Sequence, residues 1–175
     1  MTREPRDHDL EAAHDHGAFH AEPGTAPVRI LVVCTGNSAR SILGEAMFRH
    51  LGGERVEVHS AGTHPSVVNP LAIRVLQEAG IATDGLRSKS VTGYLGQRFD
   101  YVITVCDDAR DACPVFPGVH ETMHWSYPDP ARATGTEEQR MAAFRAVLTG
   151  IGQRIHAFLP LAERYAAARR PVELG

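Results

Sequence analysis

The chain has 175 residues, of which 43% are hydrophobic and 22% charged, and its formal net charge is -3. This length and apolar content predict one ordinary α/β domain and leave no room for a second full domain. The slightly negative charge argues against the broad basic face with which proteins bind nucleic acid or anionic membranes. The expected partners are therefore a small molecule or another protein.

The chain contains no run of about 18 apolar residues and does not begin with a charged segment followed by an apolar one. We therefore expect a cytoplasmic protein, and we expect it to be a monomer. Its three cysteines are Cys34, Cys106 and Cys113. In a reducing compartment, cysteines indicate chemistry more than structural disulfides.

Residues 1–27 differ from the rest of the chain, because they are polar and carry histidines among acidic residues. We predict a disordered His-rich tail over 1–27, followed by a single domain over 28–170. The spacing of the tail histidines is irregular and fits no ordinary metal site, so we expect no bound metal. These histidines are His8, His14, His16 and His20. Two later histidines, His120 and His124, are expected to be packing and surface residues.

The predicted domain begins with an apolar strand over 28–33, directly followed by Cys34. The loop over 34–41 has the sequence Cys-Thr-Gly-Asn-Ser-Ala-Arg-Ser, and a helix is predicted over 39–51 from its apolar spacing. A strand, a turn of small residues and a helix start direct several backbone N–H groups toward one point. This arrangement is typical of a site for a tetrahedral oxyanion.

Cys34 lies at the bottom of this loop. The converging amides, the positive end of the helix and the guanidinium of Arg40 all favour the thiolate over the thiol. Cys34 is therefore predicted to be a nucleophile at neutral pH. The alternative is a small core residue at the end of a buried strand, but the presence of Arg40, Gly36 and Asn37 favours the nucleophile.

The remaining elements alternate between strands and helices. Asn69 is expected to cap the second helix, with Pro70 at its first position and Gly80 after its end. We expect Pro160 to interrupt any continuation of the last helix into 161–170. In chain order, the predicted elements are a strand over 56–60, a helix over 69–79, a strand over 101–105, a short strand over 120–125 and a helix over 136–159. This alternation predicts a four-stranded parallel sheet with helices on both faces.

A second reactive cluster follows the third predicted strand, over 106–113, with a cysteine at each end. Cys34 and Cys106 both follow the carboxyl ends of parallel strands, where such sheets bind ligands, so we expect them to be neighbours. If a helix separates Cys106 from Cys113, their Cα atoms are roughly 10 Å apart. A disulfide requires less than about 7 Å. We predict that the segment between them unwinds when the two cysteines join.

Five segments together resemble the thioredoxin-coupled arsenate reductases, which share the fold of the low-molecular-weight tyrosine phosphatases. They are residues 34–41, 60–63, 105–107, 113–114 and 124–131. The resemblance covers about residues 28–159. It implies the flavodoxin-type strand order of that fold.

The resemblance implies a relay of three thiols. Cys34 attacks arsenate bound by the loop and Arg40, while Asp129 protonates the departing oxygen as a general acid. Cys106 then attacks Cys34 and arsenite leaves, and Cys113 resolves the resulting disulfide into one between Cys106 and Cys113. Asp129 lies between two prolines, so the alternative for this residue is a simple turn position.

The resemblance also implies the binding partners. Phosphate and sulfate are expected to compete with arsenate, and thioredoxin is the expected electron donor, with another low-potential thiol such as mycothiol as the alternative. No bound cofactor is expected.

The resemblance also implies roles for residues of the loop. Ser41 should donate a hydrogen bond to the Cys34 thiolate, and Asn37 should occupy a left-handed loop position. The expected oxyanion-binding residues are Thr35, Gly36, Asn37, Ser38, Ala39, Arg40 and Ser41.

Some relatives bind potassium beside the loop through an asparagine, a glutamate, a serine and an acidic residue. Asn37, Glu45 and Ser60 correspond to the first three, whereas Lys89 falls near the fourth position. We predict that the ammonium of Lys89 supplies the charge itself and that activity is independent of potassium.

Two other functions compete with arsenate reduction. A tyrosine phosphatase uses the same cysteine, arginine and aspartate, but its acid loop usually carries an aromatic residue where this chain has Ala131, and it leaves Cys106 and Cys113 without a role. Weak phosphatase side activity is still expected, because phosphate and arsenate have nearly the same shape and charge. A non-enzymatic oxyanion-binding module is the third hypothesis, and it needs no general acid at Asp129.

Overall fold

The structure is a computed structural model and describes residues 26–168. The predicted His-rich tail over 1–27 therefore lies outside the described residues except for its last two positions. Residues 169 and 170 of the predicted domain also lie outside them.

The described chain forms a parallel sheet of four strands in the order β2-β1-β3-β4. The strands are β1 (Val28–Cys34), β2 (Val56–Gly62), β3 (Tyr101–Thr104) and β4 (Glu121–His124). The chain steps from β1 outward to β2 and then returns past β1 to β3, which opens a crevice at the carboxyl ends of β1 and β3. The predicted four-stranded parallel sheet with flavodoxin-type order is confirmed.

The apolar character of β1 follows from its central position in the sheet. Its residues Ile30, Leu31, Val32 and Val33 are no more than 1% exposed. Because neighbouring residues of a strand point to opposite faces, both faces of β1 must be covered. This explains why the strand is apolar at every one of these positions instead of alternating with polar residues.

The described part of the chain has four α-helices beside the sheet: α1 (Arg40–Gly52), α2 (Pro70–Glu78), α3 (Asp107–Ala112) and α4 (Glu137–Ala168). Helix α1 packs on β1, β2 and α4, while the short α3 packs on β1 and β3. The predicted cap of α2 is present, since the Asn69 side chain accepts from Leu71 N at 2.9 Å. Within residues 26–168, no helix is both long and apolar enough to cross a membrane.

The expectation that Pro160 interrupts the last helix is wrong, because α4 continues to Ala168. Proline removes one backbone hydrogen bond and crowds the carbonyl four residues earlier. Packing beyond it compensates: Ala162 is fully buried, and the ring of Tyr165 stacks on His120 with centroids 3.3 Å apart. Tertiary contacts thus hold the last turns of α4, and His120 is a packing residue as expected.

Phe48 connects α1, which starts at the loop, to the rest of the core. It is 1% exposed, and its ring stacks on Trp125 and meets Phe158 edge-on, with centroids 6.0 and 6.1 Å apart.

We expect Phe48→Ala to lower the free energy of unfolding by about 3–5 kcal/mol, measured by urea denaturation. The control Leu161→Ala changes a residue of α4 that is 63% exposed and should stay within about 0.5 kcal/mol of the parent. Equal effects of the two substitutions would contradict this packing.

Candidate functional site

The loop between β1 and α1 has its carbonyl oxygens turned outward. The segment over 63–69 donates a backbone N–H to each of four of them: Thr63 N to Cys34 O at 3.1 Å, and His64 N to Thr35 O, Ser66 N to Gly36 O and Asn69 N to Ser38 O, each at 2.9 Å. The C=O and N–H of one trans peptide unit point in opposite directions. The N–H group that follows each of these carbonyls is therefore directed inward, as the predicted anion site requires.

The end of β2 supports the loop at very close range. A Cβ atom at Gly62 would lie 2.5 Å from Thr35 O and 2.9 Å from Asn37 N, so only glycine fits at this position. Asn37 itself has a φ of 44°, in the left-handed region that asparagine tolerates better than most residues. The predicted left-handed position of Asn37 is confirmed.

The Cys34 side chain is supported from below by two buried polar residues. Its Sγ lies 2.8 Å from Ser41 Oγ. Asn37 Nδ2 donates to the same Ser41 oxygen at 2.8 Å and to Ser60 Oγ at 2.9 Å. Because the Ser41 oxygen accepts from Asn37, its single O–H is free to point at Cys34. This geometry fits the hydrogen bond that was predicted to stabilise a Cys34 thiolate.

The loop opens into a cavity of about 290 Å³. Cys34, Arg40 and Asp129, which are far apart in the sequence, all line it. Of the predicted oxyanion-binding residues, Asn37 and Ser41 are not among the lining residues; both are fully buried beneath Cys34. The lining residues are Cys34, Thr35, Gly36, Ser38, Ala39, Arg40, Ser66, Asp108, Asp129, Ala131 and Arg132.

Arg40 and Asp129 are held beside the cavity by backbone contacts. Arg40 donates to Tyr127 O at 3.0 Å, and its guanidinium lies 3.8 Å from Asp129 Oδ2. The other carboxylate oxygen, Asp129 Oδ1, accepts from Ala131 N at 3.0 Å. Asp129 is therefore both a turn residue and part of the cavity wall, so the two interpretations of this residue are compatible.

The two later cysteines flank α3, one at each end. Cys106 is buried, and its Sγ lies 3.4 Å from Oγ1 of Thr35 in the loop, so the expected proximity of the two active segments is observed. Cys113 is half-buried, and burial raises the pKa of its thiol. All three cysteines are free thiols in this structure.

Three residues of the cavity wall were not identified from the sequence: Ser66, Asp108 and Arg132. Arg132 Nε lies 3.8 Å from Asp129 Oδ2, so that carboxylate lies between two guanidinium groups. The sequence offered a signal for Arg132, a cation three residues after the expected acid. It offered none for Ser66, which reaches the cavity only because the segment after β2 folds back over the loop.

A charged cluster is buried behind the loop. Glu45 is 1% exposed and pairs with Arg49, with Ser60 Oγ and with Lys89 Nζ, the last at 3.3 Å. The backbone N–H of Lys89 donates to Asn37 Oδ1 at 2.8 Å. Burial lowers the pKa of the Lys89 ammonium, while the neighbouring Glu45 carboxylate opposes this effect. An ammonium thus lies beside Glu45, where the sequence predicted that it would supply the charge.

Comparison with known proteins agrees with this geometry. Residues 29–169 match the family described as low molecular weight phosphotyrosine protein phosphatase. The chain belongs to this family. Solved structures that resemble this chain are named for two different activities, arsenate reductase and tyrosine phosphatase.

The relatives include several arsenate reductases. The arsenate reductase of Halalkalibacterium halodurans is 40% identical over 129 residues, which cover 74% of this chain and 93% of the relative. A solved arsenate reductase in the phosphate binding state is 26% identical with a TM-score of 0.64, and the match covers 77% of this chain and 98% of that one. The thioredoxin-dependent arsenate reductase of Corynebacterium glutamicum is 26% identical with a TM-score of 0.63, over 81% of this chain and 65% of its own. The family resemblance stated from the sequence is confirmed.

The close contact at Gly62 predicts that the loop does not tolerate a side chain there. We expect Gly62→Ala to displace the loop and to weaken phosphate binding about tenfold, measured by isothermal titration calorimetry. Gly93→Ala is the matched control, because a Cβ at Gly93 meets nothing within 4 Å. Unchanged affinity in a folded Gly62→Ala protein would contradict the loop geometry.

The Lys89 ammonium beside Glu45 predicts that the protein does not need potassium. We expect the activity and the melting temperature to be the same in KCl and in NaCl at equal ionic strength, because the positive charge behind the loop is already covalently present. A several-fold stimulation by potassium over sodium would contradict this prediction.

Proposed function

We propose that this protein is an arsenate reductase that passes electrons through Cys34, Cys106 and Cys113, with thioredoxin as the donor. The observation that carries the proposal is the arrangement of three free thiols around one oxyanion cradle. Cys34 lies in the cradle, Cys106 lies against its wall at Thr35, and Cys113 lies at the far end of α3. Such an enzyme would serve arsenic detoxification in the cytoplasm.

The first step is nucleophilic attack on arsenic. The inward N–H groups of the loop and the Arg40 guanidinium hold the arsenate oxygens, and the Ser41 hydroxyl supports the Cys34 thiolate. As the sulfur–arsenic bond forms, a hydroxyl group of hydrogen arsenate leaves arsenic and takes a proton from Asp129, so that it departs as water. The product is a covalent adduct of Cys34 with arsenic still in its oxidised state.

The second step reduces the arsenic. The Cys106 thiolate attacks the Cys34 sulfur, the sulfur–arsenic bond breaks, and its electron pair stays on arsenic, which leaves as arsenite. Cys113 then attacks Cys106 and releases Cys34 as a thiolate. The remaining disulfide between Cys106 and Cys113 receives two electrons from a thioredoxin dithiol.

The raised pKa of Cys113 affects the order of these events. A buried thiol with a raised pKa is mostly protonated at neutral pH and attacks slowly. Movement of α3 that exposes Cys113 would remove the burial and allow the thiolate to form. The resolving step is therefore coupled to the rearrangement of α3 instead of preceding it.

A tyrosine phosphatase is the second candidate, supported by the family match and by the trio of Cys34, Arg40 and Asp129. Phosphoryl transfer needs only these three residues, so weak phosphatase side activity is expected. The cavity wall carries Ala131 where such enzymes usually present an aromatic side chain, and a phosphatase leaves Cys106 and Cys113 without a role. Reduction of arsenate therefore gives a role to more residues of the site than phosphoryl transfer does.

The test measures NADPH oxidation with arsenate, thioredoxin and thioredoxin reductase for Cys34→Ser, Cys106→Ser, Cys113→Ser and Asp129→Asn. Turnover should fall to background in each cysteine variant, because each thiol carries an essential bond exchange. Asp129→Asn should lose about 10²–10⁴-fold in turnover while phosphate affinity is retained, because only the proton transfer is removed.

The outcomes separate the three functions. Absence of arsenate turnover, with phosphatase activity that survives Cys106→Ser and Cys113→Ser, would favour the phosphatase. Anion binding without turnover of either kind, in the parent and in Asp129→Asn alike, would favour a binding module. Full turnover with a small thiol and none with thioredoxin would reject thioredoxin as the donor and leave the chemistry at Cys34 in place.

A further inference from the structure

The proposed exchange between Cys106 and Cys113 takes place across helix α3, and interactions within this helix stabilise it only weakly. It has six residues, and Cys106 caps its N-terminus without a side-chain hydrogen bond. A helix of this length is unstable by itself, so contacts with other elements must hold it in place. One such contact is the fully buried side chain of Ala109.

A second contact is made by Asp107, the first residue of α3 and the residue directly after Cys106. Its Oδ1 accepts from Nε2 of His124 at 2.8 Å and from Ser126 Oγ at 3.3 Å. His124 is the last residue of β4, and its other ring nitrogen lies 2.8 Å from Oγ1 of Thr104 at the end of β3. The imidazole therefore connects the end of the sheet to the start of α3.

Disulfide formation requires this end of the helix to move. The Cα atoms of residues 106 and 113 are roughly 10 Å apart along a helix, and a disulfide needs less than about 7 Å. Cys106 is also only 4% exposed, whereas a thioredoxin thiolate must reach a sulfur of the product disulfide. Because Asp107 is the next residue in the chain, an outward movement of Cys106 pulls Asp107 away from His124.

We propose that Asp107 and His124 form a latch that holds the start of α3 closed while Cys106 and Cys113 are thiols, and that opens when their disulfide forms. The inference rests on the proposed function, because the disulfide belongs to that relay. The latch residues are positioning residues and do not touch arsenic. Since the contact exists only in the dithiol form, it stabilises that form and makes the disulfide easier for thioredoxin to reduce.

The groups that face Asp107 are His124 on β4, Arg110 on α3 itself and Ser126 after β4. The hydrogen bond from His124, the charge of Arg110 and the hydrogen bond from Ser126 hold the pKa of Asp107 below its ordinary range. A carboxyl group with a depressed pKa contributes stability above its ordinary pKa and loses it as the pH falls. The latch is therefore closed at neutral pH.

The test measures the thiol–disulfide equilibrium of the full chain in a Cys34→Ser background, where Cys106 and Cys113 are the only thiols. In the reaction, both thiols and one oxidised dithiothreitol give the protein disulfide and reduced dithiothreitol, so protons and electrons balance. We expect Asp107→Ala and His124→Leu each to shift this equilibrium about fivefold toward the disulfide. This corresponds to a reduction potential lower by about 20 mV.

The matched control is Glu121→Ala, which removes an exposed carboxylate from β4, the strand of His124, and leaves both latch residues in place. It should leave the equilibrium unchanged, and circular dichroism should show all variants folded. A carboxyl NMR titration of the Cys34→Ser protein gives an independent readout: the pKa of Asp107 should lie below its ordinary range in the dithiol form and return to that range in the disulfide form.

The outcomes distinguish the latch from the relay. A disulfide that forms equally well in Asp107→Ala, His124→Leu and the parent, or an Asp107 pKa that is the same in both redox states, would reject the latch and leave the relay intact. Failure to form a disulfide between Cys106 and Cys113 at any dithiothreitol ratio would reject the relay, and the latch with it.

Discussion

The site depends on the outward hydrogen bonds of the loop carbonyls. If those carbonyl oxygens faced the cavity, their negative ends would repel an anion and oppose the attraction from Arg40 and from the start of α1. The orientation is fixed from two sides. The segment over 63–69 binds the carbonyls from outside. From inside, the left-handed Asn37 turns the chain and bonds to Ser41, to Ser60 and to the backbone of Lys89.

The same asparagine connects the surroundings of the Cys34 sulfur to a buried charge cluster. Ser60 receives a hydrogen bond from Asn37 and donates one to Glu45, whose carboxylate also pairs with Arg49 and Lys89. A buried carboxylate is costly unless its oxygens are paired, and the partners of Glu45 come from α1 itself, from β2 and from the connection before β3. The loop, the edge strand β2 and the connection before β3 are therefore held together by polar contacts as well as by the apolar core.

Much of this arrangement could be predicted from the sequence, because its signals are local. The alternation of strand and helix patterns predicted the parallel sheet. The rule that ligands bind at the carboxyl ends of parallel strands predicted that Cys34 and Cys106 are neighbours. The parts that escaped prediction depend on tertiary contacts. Pro160 lies inside α4 because packing of Ala162 and Tyr165 outweighs a local break. His124 was expected to be a surface or packing residue, yet it connects β3 to α3 through side chains that the sequence separates.

The three thiols differ in their exposure to solvent, and therefore in how readily an oxidant reaches them. Cys34 and Cys106 are 3% and 4% exposed, whereas the half-buried Cys113 is the most accessible of the three. Hydrogen peroxide attacks thiolates that it can reach. The most exposed sulfur is therefore that of Cys113, and burial raises the pKa of this thiol, which disfavours its reactive thiolate form. The burial of Cys106, by contrast, limits the access of peroxide to its sulfur for as long as α3 stays in place.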